Sequence, residues 1–120
     1  MSQPHLTTVA VLDADARELR AKTAALARSP GVDIHISAGS LGELLTDPAF
    51  PTEVVILQQR AGERVSVNYK IRVCRLADAR VIVIAGTDAE GTVAADARVL
   101  SSSVVDFAHA LALVTDPHPE

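Results

Sequence analysis

Five short runs of β-branched and aliphatic residues alternate with helical stripes, and this alternation restricts the fold more than any other feature of the chain. The runs are Val9–Leu12, Val32–Ile36, Val54–Leu57, Val81–Ile84 and a weaker one at Arg98–Leu100. Val9–Leu12, Val54–Leu57 and Val81–Ile84 are continuously apolar, as expected of strands covered on both faces. The second run alternates. Val32, Ile34 and Ile36 fall on one face and Asp33 and His35 on the other, which reads as an edge strand with one wetter side.

The intervening segments carry helical spacing. Ala16, Leu19, Thr23 and Leu26 line one face of a first helix, with Asp15 as N-cap and Glu18 at the capping-box position. Ser29-Pro30-Gly31 stops it. Ser40 caps a short second helix bearing Leu41, Leu44 and Leu45, which ends at Asp47-Pro48. Val67, Ile71 and Cys74 stripe a third. Residues 88–95 read as a weak fourth helix with Gly91 inside it, and Val104, Phe107, Ala108 and Leu111 stripe a fifth. Strands alternating with helices predict a parallel α/β sheet, helices on both faces, joined by right-handed crossovers.

Composition narrows the functional classes. A chain of 120 residues, 48% of them apolar, is expected to form one domain over 1–120 with its core at about 7–115 and a frayed tail at 116–120. No apolar run approaches the ~20 residues that span a bilayer, and MSQPHLTTV has neither a basic nor a long apolar segment, so a cytoplasmic location is expected. The single Cys74 excludes an intrachain disulfide and sits on an apolar stripe as a core residue. A net charge of −4 and only three aromatics argue against direct nucleic-acid or membrane binding. The chain has no Gly-rich phosphate loop, and His5, His35, His109 and His118 lack metal-ligand spacing, so no cofactor, no metal and no enzyme activity are expected.

In an open parallel sheet the site lies outside the carboxyl ends of the strands. The residues there are Asp13-Ala14-Asp15, Gln58-Gln59-Arg60, Ala85-Gly86-Thr87 and Ser101-Ser102-Ser103. Asp13 and Asp15 are weak cation candidates, or a solvated strand-end acid and a helix cap. Gln58 and Gln59 either meet a ligand or satisfy loop backbone, and the serine run either cradles an anion or caps the last helix. Arg60, Arg64, Lys70, Arg72, Arg75 and Arg80 make a basic stretch around the third helix, read as a solvated face or a surface for an acidic partner.

The segments VAVLDADARELR, GVDIHISAGSLGELL, EVVILQQRAG and ARVIVIAG resemble, in order and spacing, the strands and acidic pocket of response-regulator receiver domains, most of all those preceding LuxR-type DNA-binding domains. The resemblance covers roughly residues 7–115. It implies a doubly wound, five-stranded parallel sheet of order 2-1-3-4-5 in a flavodoxin/CheY-like three-layer α/β/α fold. A working receiver holds a phosphoacceptor Asp, two further acids for Mg²⁺, a Ser or Thr, and a Lys, because phosphoryl transfer to a carboxylate crowds negative charges that cations must offset. Here Gln58 stands at the acceptor position. Asp13 matches one acid, but Ala14 takes its partner's place with Asp15 one residue on. Ala85 falls at the hydroxyl position with Thr87 two beyond it, and Ser101 at the lysine position. Arg98 replaces the usual aromatic switch residue.

The expectation is therefore a degenerate pseudo-receiver that signals without phosphorylation, through a protein partner or its own copy, and regulates an attached or partner LuxR-type domain. The resembled dimer face corresponds to Val99, Val104, Val105, Ala108 and Ala112. The alternatives are a small-molecule sensor binding at the altered pocket and a receiver in which Asp15 accepts the phosphoryl group.

Overall fold

The computed structural model describes residues 6–60, 63, 65–84, 98–99 and 114. The chain runs β1 (Thr7–Leu12), α1 (Ala16–Ala27), β2 (Val32–Ala38), α2 (Leu41–Thr46), β3 (Val54–Gln58), α3 (Val67–Leu76), β4 (Arg80–Ile84) and β5 (Arg98–Val99). Strands β1 to β4 form an all-parallel sheet in the order β2-β1-β3-β4. The two residues of β5 pair in parallel with Ile82 and Val83. The helical segments expected at 88–95 and 104–111 lie outside the described residues, as does Leu100.

Local chemistry starts each helix. The Asp15 carboxylate accepts from the Glu18 N–H at 3.0 Å, the Ser40 hydroxyl from the Glu43 N–H at 3.2 Å, and the Ser66 hydroxyl from the Tyr69 N–H at 3.1 Å. Each cap supplies a partner for an orphan amide of the first turn. At the end of α1 the chain turns through Gly31, whose φ of +80° suits a residue without Cβ. The Gly31 carbonyl then accepts from the Thr7 N–H at 2.9 Å, where β1 and β2 begin.

Strand pleating sorts the core into two layers. Val9 and Val11, Val54 and Ile56, and Ile82 and Ile84 pack with Leu26 of α1 and with Val114. The alternate residues Ala10 and Leu12, Val55 and Leu57, and Val81 and Val83 pack with Leu44 of α2 and with Ile71 and Cys74 of α3. The continuous apolar runs thus reflect helices on both sheet faces.

The edge strand departs from the expected alternation. Val32 and Ile34 join the α1 layer, but Ile36 and Ala38 join the α2/α3 layer. The cause is a bulge. Val9 pairs with Ile34 and Ala10 with Ile36, so His35 is the extra residue, exposed to solvent. One inserted residue moves every later side chain to the opposite face. The His35 ring meets the Asp33 carboxylate at 3.0 Å on the surface.

This register sets a contrast that urea unfolding checks. Ile36→Ala is expected to cost about 2–5 kcal/mol, as for a buried aliphatic truncation, while His35→Ala stays within about 0.5 kcal/mol as a surface change. Equal effects would exclude the face switch.

Candidate functional site

The carboxyl ends of β1 and β3 lie side by side, with Leu12 paired to Leu57. Asp13 follows Leu12 directly. Its N–H donates to the Ala38 carbonyl at 3.1 Å, which holds this corner against the end of β2. Its side chain is 0% exposed. The expectation of a solvated strand-end acid is therefore overturned.

Burial is sustained because both carboxylate oxygens are fully engaged. Oδ1 accepts from the Asp15 N–H at 2.9 Å and from Arg60 Nε at 2.6 Å. Oδ2 accepts from Lys22 Nζ at 2.8 Å and from Arg60 Nη2 at 2.9 Å. Arg60 thus holds the carboxylate in a fork, the geometry in which guanidinium pairs most strongly. A carboxylate offers about four lone-pair sites, and each is taken.

Each donor arrives for a local reason. Asp15 is extended as the N-cap of α1, and its amide folds back on Asp13 two residues earlier, a habit of Asp in turns. Lys22 lies two turns along the same helix. One turn behind it, Glu18 Oε1 stands 3.6 Å from Nζ and supplies further negative charge. Arg60 comes from the segment after β3, two residues beyond Gln58, and its side chain remains about one-third exposed.

The electrostatics follow from these contacts. Burial pushes the Asp13 carboxyl up, but the hydrogen bonds from Arg60, Lys22 and the Asp15 N–H together outweigh it and hold the group below its ordinary 3.8. The bond to Asp13 raises Arg60 above its ordinary value. The fully exposed Asp15 is lowered chiefly by the Glu18 N–H. A carboxylate so saturated is a poor ligand for a hard cation, which needs its lone pairs, and a poor nucleophile for the same reason. Among the described residues, no three His, Cys, Asp or Glu side chains group as a metal site.

At the tip of β3, Gln58 Nε2 donates to the Gln59 carbonyl at 3.1 Å and to the Ile84 carbonyl at 3.2 Å. The Gln59 N–H also donates to Ile84, at 2.8 Å. The amide therefore ties the ends of β3 and β4 together. Ala14 is exposed beside Asp13. Ala85, Thr87, Ser101, Val104, Val105, Ala108 and Ala112 lie outside the described residues, and Arg98 and Val99 are described in backbone only.

The basic stretch divides by role. Arg60 belongs to the Asp13 cluster, and Lys70, nearly buried on α3, pairs with Glu63 at 2.9 Å. Arg72 and Arg75 are exposed, Arg80 opens β4, and Arg64 lies outside the described residues. Gly39, Ser40, Leu41, Glu63, Val65 and Lys70 line an open cleft of about 180 Å³. It is smaller than the ~300 Å³ at which ordinary small-molecule pockets begin.

The sequence reading missed that Lys22 and Arg60 converge on Asp13. The Glu18/Lys22 spacing on a helix capped by Asp15 was the available signal for Lys22. Arg60 carried none beyond following a strand end. Among the described residues, no helix is long and apolar enough to cross a membrane. Comparison with family models, curated proteins and solved structures finds no match for the chain in any of the three.

Removing the carboxylate strands two cations, so Asp13→Asn is expected to destabilise the fold by about 3–5 kcal/mol in chemical unfolding. Lys22→Met should destabilise the native protein yet stabilise the Asp13→Asn variant, because there it removes a buried charge left with only the 3.6 Å contact to the exposed Glu18. The lowered carboxyl also has a pH signature. Its contribution is complete above the unfolded value of about 3.9 and is lost as pH falls through the lower folded value. The stability gap between the native protein and Asp13→Asn should therefore be constant near neutrality and close in strong acid.

Cys74 is wholly buried, and burial pushes its thiol up to about 11. Iodoacetamide at pH 8 is expected to leave it unmodified in the folded protein and to alkylate it in urea, as intact mass will show.

Proposed function

We propose that this chain is a receiver-type signalling module of the doubly wound, flavodoxin-like class that works by protein–protein contact without phosphorylation. On this reading the sheet is completed by β5 to the order 2-1-3-4-5, and the module regulates an attached or partner LuxR-type DNA-binding domain. The order β2-β1-β3-β4, with Arg98–Val99 beside β4, supports the fold part of the reading. So does the placement of α1 on one face and of α2 and α3 on the other.

The observation that carries the functional part is the saturated Asp13 carboxylate beside Gln58. A phosphorylatable pocket presents free carboxylate oxygens to Mg²⁺ and an ionised acceptor to the donor. Here the acid is neutralised by Lys22 and Arg60, and the neighbouring strand ends in an amide bound to backbone. The charge balance that a phosphorylated receiver reaches with metal and phosphoryl group is met internally. What remains for signalling is the surface.

Incubation with acetyl phosphate and Mg²⁺, followed by intact mass, tests the reading. The expected spectrum shows the unmodified chain alone. An acid-stable, alkali-labile phosphoryl adduct would overturn it, and its loss in Asp15→Asn would identify Asp15 as the acceptor.

A further inference from the structure

Helix α3 turns Lys70, Ile71 and Cys74 inward and exposes two large apolar-bodied side chains, Tyr69 and Leu76, on its opposite side. Tyr69 and Leu76, seven residues apart and so on one ridge, are 51% and 81% exposed. Val65, just before the cap, is also exposed, and Val73 is partly so. Arg72 stands on this ridge between Tyr69 and Leu76, exposed to solvent. A helix whose core stripe is already satisfied gains nothing in the monomer from a second apolar ridge, and such exposed ridges mark contact sites.

Charge decides what covers it. Val67–Leu76 contains Lys70, Arg72 and Arg75 and no acid, in a chain whose net charge is −4. The charge of Lys70 is spent on Glu63, beneath the ridge. A two-fold pairing of α3 with its own copy, centred between Tyr69 and Leu76, would set Arg72 against Arg72. That repulsion disfavours a second copy and favours a segment that brings carboxylates to Arg72 and apolar side chains to Tyr69 and Leu76.

We propose that the outer ridge of α3 is a docking surface for an acidic amphipathic helix of a partner protein. The inference rests on the reading of the chain as a contact-based signalling module and names the surface and the chemistry of its partner. Leu76 and Tyr69 supply the apolar anchors, as aromatic and aliphatic side chains do at the centres of interfaces, and Arg72 sets orientation and the sign of the partner.

The probe is a fluorescent synthetic helix with leucines at i, i+3 and i+7 flanked by glutamates, paired with a control carrying lysines instead. Anisotropy with the full chain is expected to show binding of the glutamate helix alone, weakening as salt is raised. Leu76→Asp and Arg72→Glu should each weaken it by about tenfold or more, while Leu45→Asp, at an exposed position of α2, leaves it unchanged. Circular dichroism checks that each variant stays folded. The proposal is overturned by equal binding of the two helices, by binding of neither, or by insensitivity to Leu76→Asp. Light scattering that shows a dimer dissociated by Leu76→Asp would overturn it in favour of a second copy. Since the assay contains no phosphodonor, a phosphoryl adduct in the earlier experiment removes the signalling reading while this binding result stands or falls by itself.

Discussion

One buried carboxylate organises the carboxyl edge of this sheet. Asp13 receives hydrogen bonds from the N-cap residue of α1, from Lys22 farther along that helix and from Arg60 after β3. Three chain segments are held at one point by a group that would be costly to bury alone. The cost of desolvating the ions is offset only because each oxygen has two donors and the Arg60 fork is geometrically complete. The same contacts decide the chemistry of the corner: the acid is ionised, satisfied and closed to further ligands.

Around that point the architecture is conventional in its physics. Two apolar layers, one under α1 and the other under α2 and α3, are built from alternate residues of the same three inner strands. The bulge at His35 lets the edge strand serve both layers in turn: its first half covers α1 and its second half reaches α2. The bulge interrupts the pairing of a seven-residue edge strand, and the polar Asp33–His35 contact lies on its surface, features that discourage association through a free edge. The outer ridge of α3 has the apolar exposure that β2 lacks.

The runs at Val9, Val54 and Val81 were legible because a strand buried on both faces needs apolar residues at every position. The caps Asp15 and Ser40 were legible because a side-chain oxygen within three residues of an orphan amide is a local matter. The register of β2 was not. Asp33 and His35 alternate with Val32, Ile34 and Ile36 as in a regular strand, and only pairing with β1 shows that His35 is extra. The fate of the basic residues was equally hidden. Arg60, Lys70 and Arg72 look alike in sequence, yet one clamps Asp13, one is nearly buried on Glu63 and one stands in solvent.

By itself, then, the order of residues determined the alternation of elements from β1 to β4, the starts of α1 and α2 and the presence of an acid at the end of β1, since these depend on neighbours a few positions apart. Tertiary structure alone decided that this acid is buried, that it meets a lysine nine residues away and an arginine forty-seven away, and that α3 exposes Tyr69 and Leu76 on its outer side. Burial and ion pairing depend on which distant segments share a corner of the fold, and no local pattern of side chains encodes that distance.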